Sequence, residues 1–219
     1  MSFEVFIFGF KNGEPEWFPV QRIRDAFGLS WSSFSDALRR TPPGNGGGIL
    51  LPWFEPEITP AVSDPQVHRY RLSPEDAAAN VRAVVEAQQM AMAVHSNWMA
   101  VAIDTIHATG GAAANTQILQ VMADVFGADV YRSTVGNSAA LGAALRAWHG
   151  DALAEGTPLP WSTIVGIAQP NATSVIPPNP GRHAVYRELL PIYEACEAHA
   201  LGGGPDPTPA LERFALHRA

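Results

Sequence analysis

Ile106-His107-Ala108-Thr109-Gly110-Gly111-Ala112-Ala113-Ala114-Asn115 is the stretch that decides the architecture. Residues 102–108 before the glycines read as a strand. From about Asn115 to Phe126 the sequence reads as a helix, which Gly127 closes, and Asp129 to Ser133 reads as the next strand. Strand, helix, strand and helix in succession indicate an α/β fold. The Gly110-Gly111 pair lets the backbone pass close to a ligand with no side chain in the way. The positive end of the following helix points at the same place. Such a turn suits an adenosine or a phosphate. Asn115 adds one group that both donates and accepts, which suits a base edge. The same residues also fit a tight strand-to-helix turn with Asn115 as its cap. No Gly-Lys-Ser/Thr follows, so the turn is not a P-loop. The G-x-G-x-x-G spacing is absent and the next strand ends in Arg132-Ser133, which disfavours a dinucleotide fold.

Working outward, Asn137 or Ser138 caps a further helix that is expected to end near Trp148 or His149, with Gly150 as its stop. Pro158 to Pro180 is proline-rich and reads as an irregular crossing. A last helix is expected from His183 to Ala200, with Pro191 as a point of kinking. Gly202-Gly203-Gly204-Pro205 then opens a tail with few core residues. Upstream, Ser73-Pro74-Glu75-Asp76 reads as a helix start, with Ser73 capping and Pro74 in the first helical position. Val81, Val84, Gln88, Met92, His95 and Met99 recur at spacings of three and four, which predicts a long amphipathic helix.

Nearer the N-terminus, Pro19 to Phe27 reads as a short helix stopped by Gly28. A second helix begins after Ser30, with Trp31, Phe34 and Leu38 on one face. Pro42 to Gly48 is too rich in proline and glycine for regular structure. Short strands are expected at Ile49 to Leu51 and Val67 to Leu72. Phe3, Val5, Phe6, Ile7, Phe8 and Phe10 read as a strand buried on both faces, placed at the very start of the chain.

Composition narrows the function. The chain has 219 residues and a formal charge of -7, which disfavours a nucleic-acid surface. No apolar run approaches the ~20 residues needed to cross a membrane. Met1-Ser2-Phe3-Glu4 lacks the basic start of a signal peptide. The single Cys196 cannot form an internal disulfide, and a cytoplasmic setting follows as the expectation.

Several blocks taken together carry a family resemblance. They are Ala108-Thr109-Gly110-Gly111-Ala112, Asn115, Ile118 to Phe126, Val130-Tyr131 and Asn137 to Ala144. Lys11-Asn12-Gly13, Trp31-Ser32-Ser33-Phe34, Gly44-Asn45-Gly46-Gly47 and Tyr186 to Tyr193 agree with them. In order, they resemble the second lobe of the FGGY carbohydrate kinases, and the xylulose kinase branch most of all. The resemblance implies a ribonuclease-H-like fold of the actin-like ATPase superfamily. Residues 1–200 would form one C-terminal lobe of a two-lobed sugar kinase, and residues 201–219 a tail. It implies ATP as cofactor, with Mg²⁺ bound through the nucleotide phosphates. Gly110, Gly111, Ala112 and Asn115 would line the nucleotide pocket.

Trp31 fits either the family's adenine-packing tryptophan or a core aromatic of its own helix. Gly44 and Asn45 fit a structural turn better than a loop shaping the cleft. The sugar would be held mainly by a first lobe, which also supplies the catalytic aspartate. An Asp-x-Gly-Thr motif is absent here: Asp104-Thr105 and Asp206-Pro207-Thr208 lack the glycine. No catalytic residue is therefore assigned to this chain, and it is expected to be inactive alone. A non-catalytic adenine-nucleotide-binding or interaction module is the competing reading, and a homo-oligomer is compatible with either. Ala112, Ala113 and Ala114 stand where the family often has a serine, so contacts there would be from backbone. His68, His95, His107, His149, His183, His199 and His217 are scattered without zinc spacing, so no metal site is assigned. His95 reads as a satisfied packing residue, Asp104 as an acid satisfied by backbone, and Cys196 as an inert thiol.

Overall fold

A computed structural model describes residues 19–132, 138–166 and 175–218. The strand expected at Phe3 to Phe10 lies outside the described residues, as do Ser133 and Asn137. The elements in order are α1 (Pro19–Ala26), α2 (Trp31–Arg40), β1 (Ile49–Pro52), β2 (Val67–Tyr70), α3 (Ala77–Ser96), β3 (Thr105–Ala108) and α4 (Thr116–Phe126). They continue with β4 (Asp129–Arg132), α5 (Ser138–Ala154), α6 (Trp161–Gly166), β5 (Val175–Ile176), α7 (Pro180–Ala200) and α8 (Thr208–Leu216).

The centre of the fold follows from α4. Ile118, Val121 and Val125 point into a large core shared with α1, α2, α3, α7, α8 and the β1–β2 hairpin. Leu119, Met122 and Ala123 point the other way, onto Ile106, Ala108 and Val130 of the β3–β4 sheet. Two apolar stripes at helical spacing therefore hold α4 between two cores. β3 and β4 run parallel, with Ile106 opposite Val130, because α4 is the crossover between them. β5 adds antiparallel to β4, giving the order β3-β4-β5, while β1 and β2 pair separately.

Local signals set most helix ends. Ser30 Oγ accepts from Ser33 N at 3.1 Å at the start of α2. Gly127 closes α4 in the left-handed region at φ 65°. Three helix boundaries differ from expectation. α3 starts at Asp76, whose Oδ1 accepts from Ala79 N at 3.0 Å, whereas Ser73 Oγ is held by Glu75 Oε2 at 2.5 Å. α5 runs through Gly150, because its continuation buries Ala152, and the chain turns at Gly156 with φ +74°. The crossing from Pro158 to Pro180 contains α6 and β5 in its described parts. α7 also starts three residues early, at Pro180, capped by Asn179, and runs through Pro191.

The amphipathic reading of α3 does not hold, because the helix is sunk between other elements rather than laid on a surface. Its middle, residues 80–90, is buried on nearly every side, and takes Asn80, Arg82, Glu86 and Gln89 into the interior with the apolar residues. Arg82 Nε donates to Glu86 Oε1 at 2.5 Å, and Arg82 Nη1 donates to the Leu38 carbonyl at 3.1 Å. Tyr186 of α7 donates to the same Glu86 Oε1 at 2.8 Å and accepts from Arg82 Nη2. Glu86 Oε1 also accepts from Gly44 N at 2.8 Å. Burial pulls Arg82 towards losing its proton, but Glu86 and Tyr186 outweigh this and its pKa is raised. One buried carboxylate thus ties α3, α7 and the 42–48 loop together.

That loop is a structural turn. A Cβ on Gly44 would lie 2.7 Å from Val185 Cγ1 and 3.0 Å from Phe214 Cζ. The segment after Ala200, expected as a tail, contains α8, whose Leu211 and Phe214 are buried in the main core. Asp206 serves the start of this helix, accepting from Thr208 N at 3.0 Å and Thr208 Oγ1 at 2.7 Å.

Candidate functional site

The glycine turn leaves the end of β3 and reaches the surface. Gly110 has φ 87° and ψ -175°, a region essentially reserved for glycine. Gly111–Ala114 then form one 3₁₀ turn, with Ala113 N donating to the Gly110 carbonyl at 3.1 Å. Ala113 is buried against the β3–β4 sheet, which fixes the turn, while Gly110, Gly111 and Ala112 are exposed. A Cβ built at Gly110 or Gly111 meets nothing within 4 Å. The result is an anchored ledge of bare backbone with open space beside it.

Asn115 ends the ledge and caps α4. Its Oδ1 accepts from Gln117 N at 3.0 Å and from Ile118 N at 3.4 Å. Two N–H groups at the positive end of α4 are therefore already satisfied by Asn115, so this helix end is less bare than the sequence suggests. The amide's other end points across to α2, where Asn115 Nδ2 donates to Ser35 Oγ at 2.9 Å. Ser35 Oγ in turn donates to the Trp31 carbonyl at 2.8 Å. Sequence reasoning names Trp31 and Asn115 separately; the structure joins them through Ser35, which sequence reasoning missed. Its only local signal was the i, i+4 spacing from Trp31.

Trp31 is not a core residue, since 47% of it is exposed. It sits in the first turn of α2, on the same face as Ser35 and about 6 Å from it along the axis. Its ring meets buried Phe34 edge-on at 5.6 Å, and the Arg24 guanidinium lies 4.6 Å from its centroid. The tryptophan therefore offers a held aromatic surface one turn from the Asn115–Ser35 contact.

The remaining candidates sit elsewhere. His95 Nε2 lies 3.0 Å from Glu197 Oε2, which pairs α3 with α7, and burial raises the Glu197 pKa. Asp104 is exposed before β3, and its carbonyl accepts from Asp129 N at 3.1 Å. Cys196 is buried, and that burial pushes its thiol up to about 12. Among the described residues, no group of three His, Cys, Asp or Glu could hold a metal ion. Likewise, no helix among them is long and apolar enough to cross a membrane.

Comparison with known proteins gives this geometry a setting. The family model for the C-terminal domain of the FGGY family of carbohydrate kinases matches residues 37–150, which include the glycine ledge and Asn115. Mouse xylulose kinase is 38% identical over 209 residues, covering 90% of this chain and 36% of the relative. The chain thus spans little more than a third of that protein's length. The crystal structure of ligand-bound xylulose kinase from Lactobacillus acidophilus superposes with a TM-score of 0.71 at 24% identity, over 84% of this chain and 38% of that one. Gluconate kinase from the same organism gives 0.70 at 25% identity, over 84% and 37%. The α/β fold is thus that of one lobe of the actin-like ATPase superfamily, as expected. A match over more than half of the chain, inside that fold, establishes that this chain belongs to the FGGY family of carbohydrate kinases and carries its C-terminal domain.

Proposed function

We propose that this chain is the nucleotide-binding lobe of a kinase that phosphorylates D-xylulose, with ATP as the donor. The observation that carries the nucleotide part is the ledge Gly110–Ala112, open beside both glycines and continuous through Asn115 and Ser35 with exposed Trp31. Backbone alone would face the nucleotide along the ledge. Asn115 would meet the base edge and Trp31 the base face. Mg²⁺ would arrive with the phosphates and offset their charge. The sugar assignment is supported by the mouse relative. That the lobe's fold leaves the choice of sugar to another lobe is supported by two similarly shaped neighbours named for xylulose and gluconate.

In the reaction, the acceptor hydroxyl oxygen bonds to the γ-phosphorus and the bond to the bridging β–γ oxygen breaks. ADP leaves, and the hydroxyl proton passes to a base. No residue of this chain is assigned as that base, and the sugar would be held by another lobe. Phosphoryl transfer depends on positioning, so the chain alone is proposed to bind nucleotide without turning over. The lobe would comprise residues 1–200 with α8 docked onto it. A cytoplasmic setting is supported by the single cysteine, held as a buried thiol.

Titration calorimetry of the folded chain tests this reading. ADP and ATP should bind and NAD should not, while D-xylulose with ATP should release no ADP in a coupled assay. A folded chain that gives no heat with ADP overturns the pocket. Steady turnover by this chain alone overturns the division of labour.

A further inference from the structure

We propose that Ser35 is a specificity-determining residue that makes the site read adenine in preference to guanine. This rests on the nucleotide reading of the ledge. Asn115 Oδ1 is filled by two backbone N–H groups, so the amide can turn only an N–H outward. The orientation is fixed, because a cap must present oxygen to those donors. One Nδ2 hydrogen goes to Ser35 Oγ and one remains. Ser35 has a single hydroxyl proton, and the Trp31 carbonyl, which can only accept, takes it. Ser35 Oγ accepts from Asn115 and keeps one lone pair.

The site therefore presents a donor, Asn115 Nδ2, and an acceptor, Ser35 Oγ, 2.9 Å apart and both part-buried. Adenine matches this pair: N7 accepts and the neighbouring N6 amino group donates. Guanine shows acceptors at both N7 and O6, so its O6 would face a lone pair. Trp31, one turn away on the same helix face, supplies the surface on which the base lies.

Calorimetry with ADP, GDP and IDP on the wild-type chain, Ser35→Ala and Ser35→Thr tests this. IDP carries oxygen in place of the N6 amino group. The wild type should prefer ADP to both others by about tenfold, the scale of one hydrogen bond gained and one repulsion avoided. Ser35→Ala should weaken ADP and, with the repulsion relieved, strengthen GDP and IDP, so that the three converge, and Ser35→Thr should keep the preference. Equal weakening of all three nucleotides by Ser35→Ala would make Ser35 merely structural and overturn the proposal. So would an unchanged preference, or a wild type that binds all three alike, which needs no variant to establish. A folded wild type that binds none of them removes the nucleotide reading itself, and the proposal with it.

Discussion

Two glycine-rich segments look alike in the sequence and meet opposite fates in the fold. Gly44 and Gly47, in the 42–48 loop, are closed over by Val185 of α7 and by Leu211 and Phe214 of α8. Gly110 and Gly111 face empty space. Both segments need glycine for a positive φ at least once. In the first, the missing side chain makes room for protein. In the second it leaves bare backbone beside open space. Glycine richness alone therefore does not say whether a loop is closed over or left open; the fold decides that.

The sharpest way to break this contrast is at the floor of the closed loop. Glu86→Ala removes the acceptor of Gly44 N, Arg82 and Tyr186 together, and leaves the Arg82 charge buried. A loss of about 3–5 kcal/mol in urea unfolding is expected. Gly44→Ala should follow at about 2–4 kcal/mol, from the contacts with Val185 and Phe214 and from a side chain at φ +75°. A loss within experimental error would mean that α8 does not seal this loop.

The closed side also predicts a pH dependence. Cys196 is raised from 9.0 to about 12 by burial first, then by Glu197 and Asp206. The folded state favours the neutral thiol, so its contribution is complete below about 9 and is lost as the pH rises towards about 12. Melting temperature should fall across that window, and less steeply in Cys196→Ala. A disulfide reagent at pH 8 should react with the thiol only in denaturant. The smallest effect on stability is expected at the open ledge. Gly111→Ala should change the unfolding free energy by less than about 0.5 kcal/mol, since its Cβ meets nothing. The same change should weaken ADP binding about tenfold if ligand contacts that backbone, on the scale of one lost contact. Stability lost at Gly44 and binding lost at Gly111 would confirm the contrast; the reverse would invert it.

What was legible in the sequence was mostly local. Asn115 reads as a cap because its partners, Gln117 and Ile118, lie two and three residues away. Gly127 reads as a stop for the same reason. Gly150 misled because a glycine inside a helix costs only about 1 kcal/mol, which burial of Ala152 can offset. Ser73 misled because its hydroxyl had a closer partner in Glu75, which left Asp76 to cap α3.

The sequence by itself determined the strand–turn–helix–strand order around Gly110, the caps of α2 and α4, and the family blocks. These rest on backbone preference and on contacts within about one turn, which any reader of the chain can count. Tertiary structure alone decided that Ser35 joins Trp31 to Asn115, that Glu86 holds Gly44, and that α8 closes one glycine loop and leaves the other open. Those contacts link residues far apart in the chain. They form only when the folded core brings those segments together, and no local preference encodes that meeting.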